Sequence, residues 1–158
     1  MRRAHQVDGS VNSGIKAAFT EDEVVNIVCD WLSENSFMIV SRCSTKEKGI
    51  DIVASDQAGV VWYIEAKGGR SGREGSRRYG LDFTAVQTID RVMKGFFTAA
   101  AMAEAKGGSG VQIGFAIPRS PVAEAYLLKV RKALNSLGIT TIWIEPSGTV
   151  TAVCPNLR

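Results

Sequence analysis

Apolar and polar positions along the chain predict helices and strands in the order α-β-β-β-α-β-α-β-β. Apolar residues three and four positions apart predict a first helix that follows Thr20 and runs to about Ser36. The spans 37–44, 49–56 and 60–68 carry β-branched and aromatic residues between turn residues, so they predict a three-stranded meander. The remaining predicted elements are a helix from Thr84 to about Lys106, a strand at 111–117, a helix from Ser120 to about Ser136, and strands at 139–145 and 149–154.

Two of the predicted helices begin with a capping pattern. Thr20 precedes Glu23 by three positions, and Thr84 precedes Gln87 by three positions. In such a box the threonine hydroxyl and the acid or amide side chain satisfy backbone N–H groups of the first turn. Helices interleaved with strands then predict an α/β domain in which helices flank a mixed sheet.

The most informative chemistry lies at the ends of two neighbouring predicted strands. Asp51 follows Gly49 and Ile50, and Glu65-Ala66-Lys67 ends the apolar run that begins at Val60. Because the strand period is two, Glu65 and Lys67 share one face, where charge is costly unless it is compensated. Two carboxylates on adjacent strands repel each other, and a divalent cation removes that repulsion. Oxygen ligands suit magnesium, and a neighbouring lysine suits phosphate chemistry.

Length and composition predict one globular domain. The chain has 158 residues, with 45% apolar and 22% charged residues, which is far from a disordered composition. We expect residues 1–18 to form a flexible lead-in and residues 19–158 to form the domain. The longest apolar stretch, 96–103, is too short to span a bilayer, and Met1-Arg2-Arg3 is not followed by a signal-peptide core. These features predict a cytoplasmic protein with no membrane partner.

The cysteines and the histidine exclude several kinds of site. The three cysteines are widely separated and form no Cys-x-x-Cys pair, which argues against zinc and iron–sulfur sites. His5 is the only histidine, which makes Ser-His-Asp hydrolysis and histidine-dependent nuclease chemistry poor candidates.

Positive charge is concentrated directly after the acidic pair. The net charge is only +3, but the glycine- and serine-rich segment that follows Lys67 carries four arginines against the single acid Glu74. These arginines are Arg70, Arg73, Arg77 and Arg78. A flexible cationic loop beside a metal site suits a nucleic acid, because phosphate contacts supply most nucleic-acid affinity. A solvated loop without any partner is the alternative interpretation.

Together these features resemble the PD-(D/E)XK nuclease superfamily, in particular its restriction-endonuclease-like and resolvase-like branches. The resemblance comprises Asp51 on the second core strand, Glu65-Ala66-Lys67 on the third, and the α-β-β-β-α-β order around them, and it covers residues 19–145. It implies a restriction-endonuclease-like three-layer α-β-α core with a central mixed sheet.

The resemblance also implies a function and a set of catalytic residues. The chain would be a magnesium-dependent nuclease that hydrolyses DNA phosphodiester bonds, with manganese able to substitute. Asp51, Glu65 and the carbonyl of Ala66 would hold the metal, and Lys67 would orient or activate the attacking water and balance charge on the phosphate. DNA is thus the expected partner, with a homodimer or a larger DNA-processing complex as the expected assembly.

Two auxiliary positions have competing interpretations. Members of the superfamily often bring a glutamate of the first helix near the metal, for which Glu23 is the first candidate and Glu21 the second. Part of the superfamily also carries a glutamine at the start of the helix that follows the third core strand, and Gln87 is the candidate for that position. Either Glu23 or Gln87 can instead serve only as a helix cap. A non-catalytic nucleic-acid-binding or protein-interaction module on the same fold, or an accessory subunit, is the alternative function.

Overall fold

The computed structural model describes residues 18–155, so the expected lead-in at residues 1–18 lies outside the described residues except for Ala18. Within that range the chain forms α1 Glu21–Glu34, β1 Met38–Arg42, β2 Ile52–Ser55, β3 Val61–Ala66, α2 Ala85–Lys106, β4 Val111–Pro118, α3 Pro121–Lys129, α4 Arg131–Ser136, β5 Ile139–Ile144 and β6 Val150–Val153. No helix in this described part is long and apolar enough to cross a membrane.

The strands form one mixed sheet in the order β1-β2-β3-β4-β5-β6. The pairs β1–β2, β2–β3 and β5–β6 are antiparallel, so the predicted meander is confirmed. The pairs β3–β4 and β4–β5 are parallel, with α2 in the first crossover and α3 and α4 in the second. Because these three strands run in the same direction, their carboxyl ends meet at one edge of the sheet.

Helices cover both faces of the sheet, which gives three layers. On one face α1 buries Val24 and Val28 against β2, β3, β4 and β5. On the other face α2, α3 and α4 pack on β4 and β5, where Phe115 is fully buried. Side chains of β4 alternate between these two clusters, because successive residues of a strand point to opposite faces. The α/β architecture and the mixed sheet expected from the sequence are therefore present.

Both predicted capping boxes are present. Thr20 Oγ1 accepts from the Glu23 N–H at 3.3 Å, and Glu23 Oε2 accepts from the Thr20 N–H at 2.8 Å. The equivalent bonds between Thr84 and Gln87 are 3.3 and 3.0 Å. These caps fix the first residues of α1 and α2. The start of α1 lies next to the carboxyl end of β3.

The prediction of one helix over 120–136 is wrong in one respect, because the chain leaves helical geometry at Val130. Val130 has φ −110° and ψ 13°, and its N–H bonds to the carbonyl of Leu127 at 3.1 Å. Leu127 before the break and Leu134 after it are buried in the same cluster, so tertiary packing holds both segments. Since neither glycine nor proline marks the break, the sequence pattern continues across it.

Gly95 leads to a prediction about how α2 packs on the sheet. A Cβ atom at Gly95 would overlap the ring of Phe115 and come within 3.1 Å of Lys67 Cγ. We expect Gly95→Ala to lower the free energy of unfolding by about 1–3 kcal/mol through overpacking. Chemical denaturation measures this change. The matched variant is Gly95→Ala in a Phe115→Leu background, where the smaller side chain should recover part of the loss. A net gain of about 1 kcal/mol, as helix propensity alone would give, would contradict the prediction.

Candidate active site

Glu65 and Lys67 lie at the carboxyl end of β3, on the face that α2 covers. Glu65 is the penultimate residue of β3 and is only 7% exposed, opposite Phe115 of β4. Lys67 directly follows the strand, and the absence of a side chain at Gly95 leaves room for its stem. The strand period thus places the acid and the base side by side, as the sequence predicts.

The Lys67 ammonium contacts oxygen atoms from two elements. Its Nζ lies 2.6 Å from Glu65 Oε1 and donates a hydrogen bond of 3.1 Å to the carbonyl of Ala66. A third oxygen, Glu21 Oε2 at the start of α1, lies 3.8 Å away. The side chains of Lys67, Glu65 and Glu21 are largely buried, so their charges are screened less than they would be in water.

Asp51 lies beside this cluster, immediately before β2 rather than within it. Its Oδ2 accepts a hydrogen bond of 2.7 Å from the backbone N–H of Ala66. The carbonyl of Asp51 accepts from the N–H of Cys43 at 2.9 Å, which fixes the backbone at this position. The antiparallel pairing of β2 with β3 therefore brings Asp51 to the segment Glu65-Ala66-Lys67.

Burial and neighbouring negative charge raise the pKa values of Glu65 and Glu21. Burial raises the pKa of Glu65, the Lys67 ammonium opposes this rise, and the negative charge of Asp51 adds to it. Burial also raises the pKa of Glu21, again opposed by Lys67 and reinforced by Asp51. Asp51, Glu65 and Glu21 thus repel one another. Lys67 partly compensates Glu65 and Glu21, and Arg91 also compensates Glu21.

The helix glutamate at this cluster is Glu21, not Glu23. Glu21 Oε2 lies within 3.8 Å of Lys67 Nζ and 3.6 Å from Arg91 Nη1 of α2. Gly68 makes this approach possible, because a Cβ atom there would lie 2.5 Å from the backbone N of Glu21 and 2.8 Å from the carbonyl carbon of Thr20. The close passage of the chain beneath the start of α1 therefore requires glycine at position 68.

Glu23 instead binds Arg70. Its two carboxylate oxygens lie 3.0 and 3.1 Å from Arg70 Nη2, in addition to the capping bond with Thr20. Arg70, which the sequence suggested as a phosphate contact, is thus engaged by a carboxylate and only 22% exposed. Gln87 caps α2 through Thr84 and is half-buried.

The arginine-rich segment is a hairpin-like loop with a fixed base. Arg70 pairs with Asp82 in an isolated antiparallel bridge, and the N–H of Phe83 bonds to the carbonyl of Gly69 at 2.9 Å. Two further backbone bonds join Ser71 to the returning strand, from Ser71 N–H to Leu81 and from Gly80 N–H to Ser71. The flexible loop expected from glycine content is therefore tied down at its base. Arg73, Arg77 and Arg78 are exposed beyond it.

A cleft of about 800 Å³ opens beside Glu21. Its basic lining residues are Lys46, Arg70, Arg73 and Arg91, its acidic lining residues are Glu21, Asp22 and Glu74, and its aromatic residue is Phe83. The Arg91 guanidinium lies 5.0 Å from the centre of the Phe83 ring and also faces Glu21, so it joins the cleft to the acidic cluster. Arg91 was not among the residues predicted from the sequence, although it follows Gln87 by four positions and so lies one helical turn further along α2.

The residues at this site satisfy part of what a divalent cation needs. Asp51, Glu65 and the Ala66 carbonyl are hard oxygen donors from two adjacent strands, and their repulsion favours a cation. As they stand, no three acidic, cysteine or histidine side chains among residues 18–155 are grouped closely enough to hold a metal ion. The Lys67 ammonium contacts the Glu65 carboxylate and the Ala66 carbonyl instead.

Comparison of the chain with protein-family models, with curated proteins and with solved structures found no match. The function is therefore inferred from the geometry and chemistry of the site.

The raised pKa of Glu21 predicts a specific pH dependence of stability. Because the pKa of Glu21 in the folded protein is higher than its ordinary value of 4.5, the folded protein holds this proton more tightly than the unfolded chain does. The stabilisation that this proton provides is fully present below pH 4.5 and is lost as pH rises through the raised pKa. We expect the unfolding free energy of wild type to fall relative to Glu21→Gln as pH is raised from about 4 to about 7, as measured by urea denaturation.

Glu47 provides a control of opposite sign. Hydrogen bonds from the Ser44 N–H and hydroxyl lower its pKa, so its contribution is present above 4.5 and is lost as pH falls through the lowered value. Relative to Glu47→Gln, wild type should therefore become less stable towards acid. Equal pH profiles for the two variants would contradict the electrostatic account of Glu21.

Proposed function

We propose that this chain is a metal-dependent nuclease of the PD-(D/E)XK type, with a restriction-endonuclease-like core, that hydrolyses DNA phosphodiester bonds. The observation that carries the proposal is the convergence of Asp51, Glu65 and Lys67 at the carboxyl end of β3. The basic residues that line the cleft beside Glu21, among them the exposed Lys46 and Arg73, support a polyanionic substrate. A cytoplasmic location, where such a substrate is accessible, forms part of the proposal.

Asp51, Glu65 and the carbonyl of Ala66 would hold the metal ion, for which magnesium is the first candidate and manganese the second. When bound, this ion supplies Lewis-acid polarisation of the phosphate and lowers the pKa of coordinated water. The need for compensation is visible in the chain itself, because burial and mutual repulsion raise the pKa of Glu65 even though Lys67 is close by.

Lys67 has the charge and the position to act on the reacting phosphate. Its ammonium can donate three hydrogen bonds, of which the Ala66 carbonyl and Glu65 take two. The remaining donor capacity can orient a water molecule, and the positive charge opposes the negative charge that develops on the phosphate oxygens. Arg91 and Arg73 line the cleft and would contact phosphates of the bound strand.

We assign the auxiliary acidic position to Glu21. It contacts both Lys67 and Arg91, whereas Glu23 is occupied by the cap and by Arg70. Glu21 would position Lys67 and Arg91, and Gln87 would act as a helix cap. Arg70 would then order the base of the cationic loop rather than bind a phosphate directly.

A second candidate function is a non-catalytic nucleic-acid-binding or interaction module, including an accessory subunit of a larger DNA-processing complex. The close Lys67–Glu65 ion pair favours it, because this pair already compensates the buried carboxylate without a metal. The two candidates differ in turnover. DNA binding in the cleft is expected from both, but metal-dependent cleavage is expected only from the nuclease.

Cleavage assays test the nuclease proposal. Purified protein is incubated with supercoiled, linear, single-stranded and branched DNA in magnesium, in manganese and with a chelator. We expect cleavage only with metal, and a loss of at least about 100-fold in Asp51→Asn, Glu65→Gln and Lys67→Met, because each removes a charge that acts in the transition state.

Exposed residues of the same types provide matched controls. Glu104→Gln on α2 and Lys132→Met on α4 should cleave at the wild-type rate. DNA binding without cleavage of any of the four substrates would favour the non-catalytic module. Cleavage that persists in Asp51→Asn would assign the activity to another site or to a contaminant.

The cationic loop gives a separate prediction about binding. Replacing the exposed Arg73, Arg77 and Arg78 with glutamine should weaken binding to every DNA sequence and flatten its salt dependence, by up to about 0.9 in the log–log slope per lost contact on duplex DNA. Fluorescence anisotropy at several salt concentrations measures this slope. Glutamine at Arg131 and Lys132 of α4 is the control. An unchanged slope in the loop variant would show that the loop is a solvated connector.

A further inference from the structure

The outer face of α2 carries large apolar side chains that are exposed to solvent. Val86 is 75%, Met93 61% and Phe97 74% exposed. Their spacing of seven and four positions aligns them in one stripe along the helix. The opposite face of the same helix buries Val92 and Ala99 against the sheet, so the stripe is additional to the core-facing side.

Two opposite charges lie along one flank of this stripe. Asp90 and Lys94 are one turn apart between Val86 and Phe97, and they form an exposed ion pair of 2.9 Å within the helix. An exposed pair of this kind adds little to stability, so both side chains are available to a partner of suitable charge pattern.

The order of these residues makes the stripe complementary to itself. When a second copy of α2 is laid antiparallel on the first, Val86 meets Phe97 of the other copy, Asp90 meets Lys94, and Met93 meets Met93. The midpoints of all three pairings fall within about one residue of Val92, a distance of about 1.5 Å along the helix axis. One two-fold axis therefore satisfies the apolar and the charged pairings together, as an isologous interface requires.

We propose that the outer face of α2, defined by Val86, Asp90, Met93, Lys94 and Phe97, is the interface of a homodimer in which two α2 helices pack antiparallel. The occupant of this face is a second copy of the chain, because the charge pattern matches the reversed copy of the same helix. The neighbouring α3, which packs on α2, also carries an exposed apolar side chain, Leu128.

The size of this surface predicts a dimer of moderate affinity. A helix of 22 residues is about 33 Å long, and the five interface residues span about half of it. A stable interface commonly buries about 800 Å² on each partner, and a single helix face with a few flanking side chains lies at the lower end of that range. Association is therefore expected in the micromolar range rather than the nanomolar range.

Sedimentation equilibrium of the full chain over a range of concentrations tests the oligomeric state. Wild type should be dimeric at about 100 µM, and Phe97→Glu should be monomeric at the same concentration, because it buries a carboxylate of each copy in the apolar part of the interface. Since Phe97 is exposed, this variant should retain its fold, which circular dichroism checks. Met38→Glu, on the edge strand β1, removes a similarly exposed apolar side chain elsewhere and should leave the dimer intact.

A charge exchange tests the antiparallel geometry itself. Asp90→Lys and Lys94→Asp should each weaken the homodimer at least about tenfold, since each places like charges opposite each other. An equimolar mixture of the two variants should form a heterodimer with near wild-type affinity, because the two lysines of the first variant then face the two aspartates of the second. The ion pair within one helix is not restored by mixing, so recovery identifies the contact between copies.

Each outcome decides the proposal. A wild-type chain that is monomeric at about 100 µM would overturn it and would leave another protein as the occupant of this face. A dimer that survives Phe97→Glu, or a mixture that fails to recover, would place the interface elsewhere. None of these measurements involves DNA cleavage, so the result is independent of the nuclease proposal.

Discussion

The ion pair between Glu65 and Lys67 makes it possible for the core of this protein to hold a buried carboxylate at the candidate active site. Glu65 lies on a sheet face that α2 covers, where an uncompensated charge costs several kcal/mol. Lys67 compensates it at 2.6 Å because the strand period places both side chains on one face, and because Gly95 leaves space for the lysine stem. Any ligand that enters this site must therefore compensate the same carboxylate or leave the lysine to do so.

Other parts of the fold bring charge to this pair from different directions. The antiparallel β2–β3 pairing places Asp51 within hydrogen-bonding distance of the Ala66 N–H. The close approach of Gly68 to the first turn of α1 places Glu21 beside the ion pair. Like charges thus accumulate around one lysine, at the edge where the parallel strands end. A fold under selection for stability alone would gain from removing one of these acids, so their presence in one place is a reason to expect a bound cation or a reaction.

Sequence patterns predicted the features that depend on local interactions. Both capping boxes, the meander and the shared face of Glu65 and Lys67 follow from short-range spacings and turn residues. The choice of Glu23 as the first candidate for the auxiliary acid depended instead on which residue in the first turn of α1 faces β3. The close approach of Gly68 to Glu21 decides this, and these two residues are distant in the chain. The Glu23–Arg70 pair joins residues 47 positions apart, and no local pattern marks it. The break at Val130 likewise depends on tertiary packing.

Helix α2 combines these separate roles, because each of its faces meets a different environment. Its inner face admits Phe115 and Lys67 at Gly95, its first turns carry Arg91 into the cleft, and its outer face carries the self-complementary stripe. Arg91 lies one residue from the level of the proposed two-fold axis at Val92. In an antiparallel pair that axis would relate the two clefts to each other.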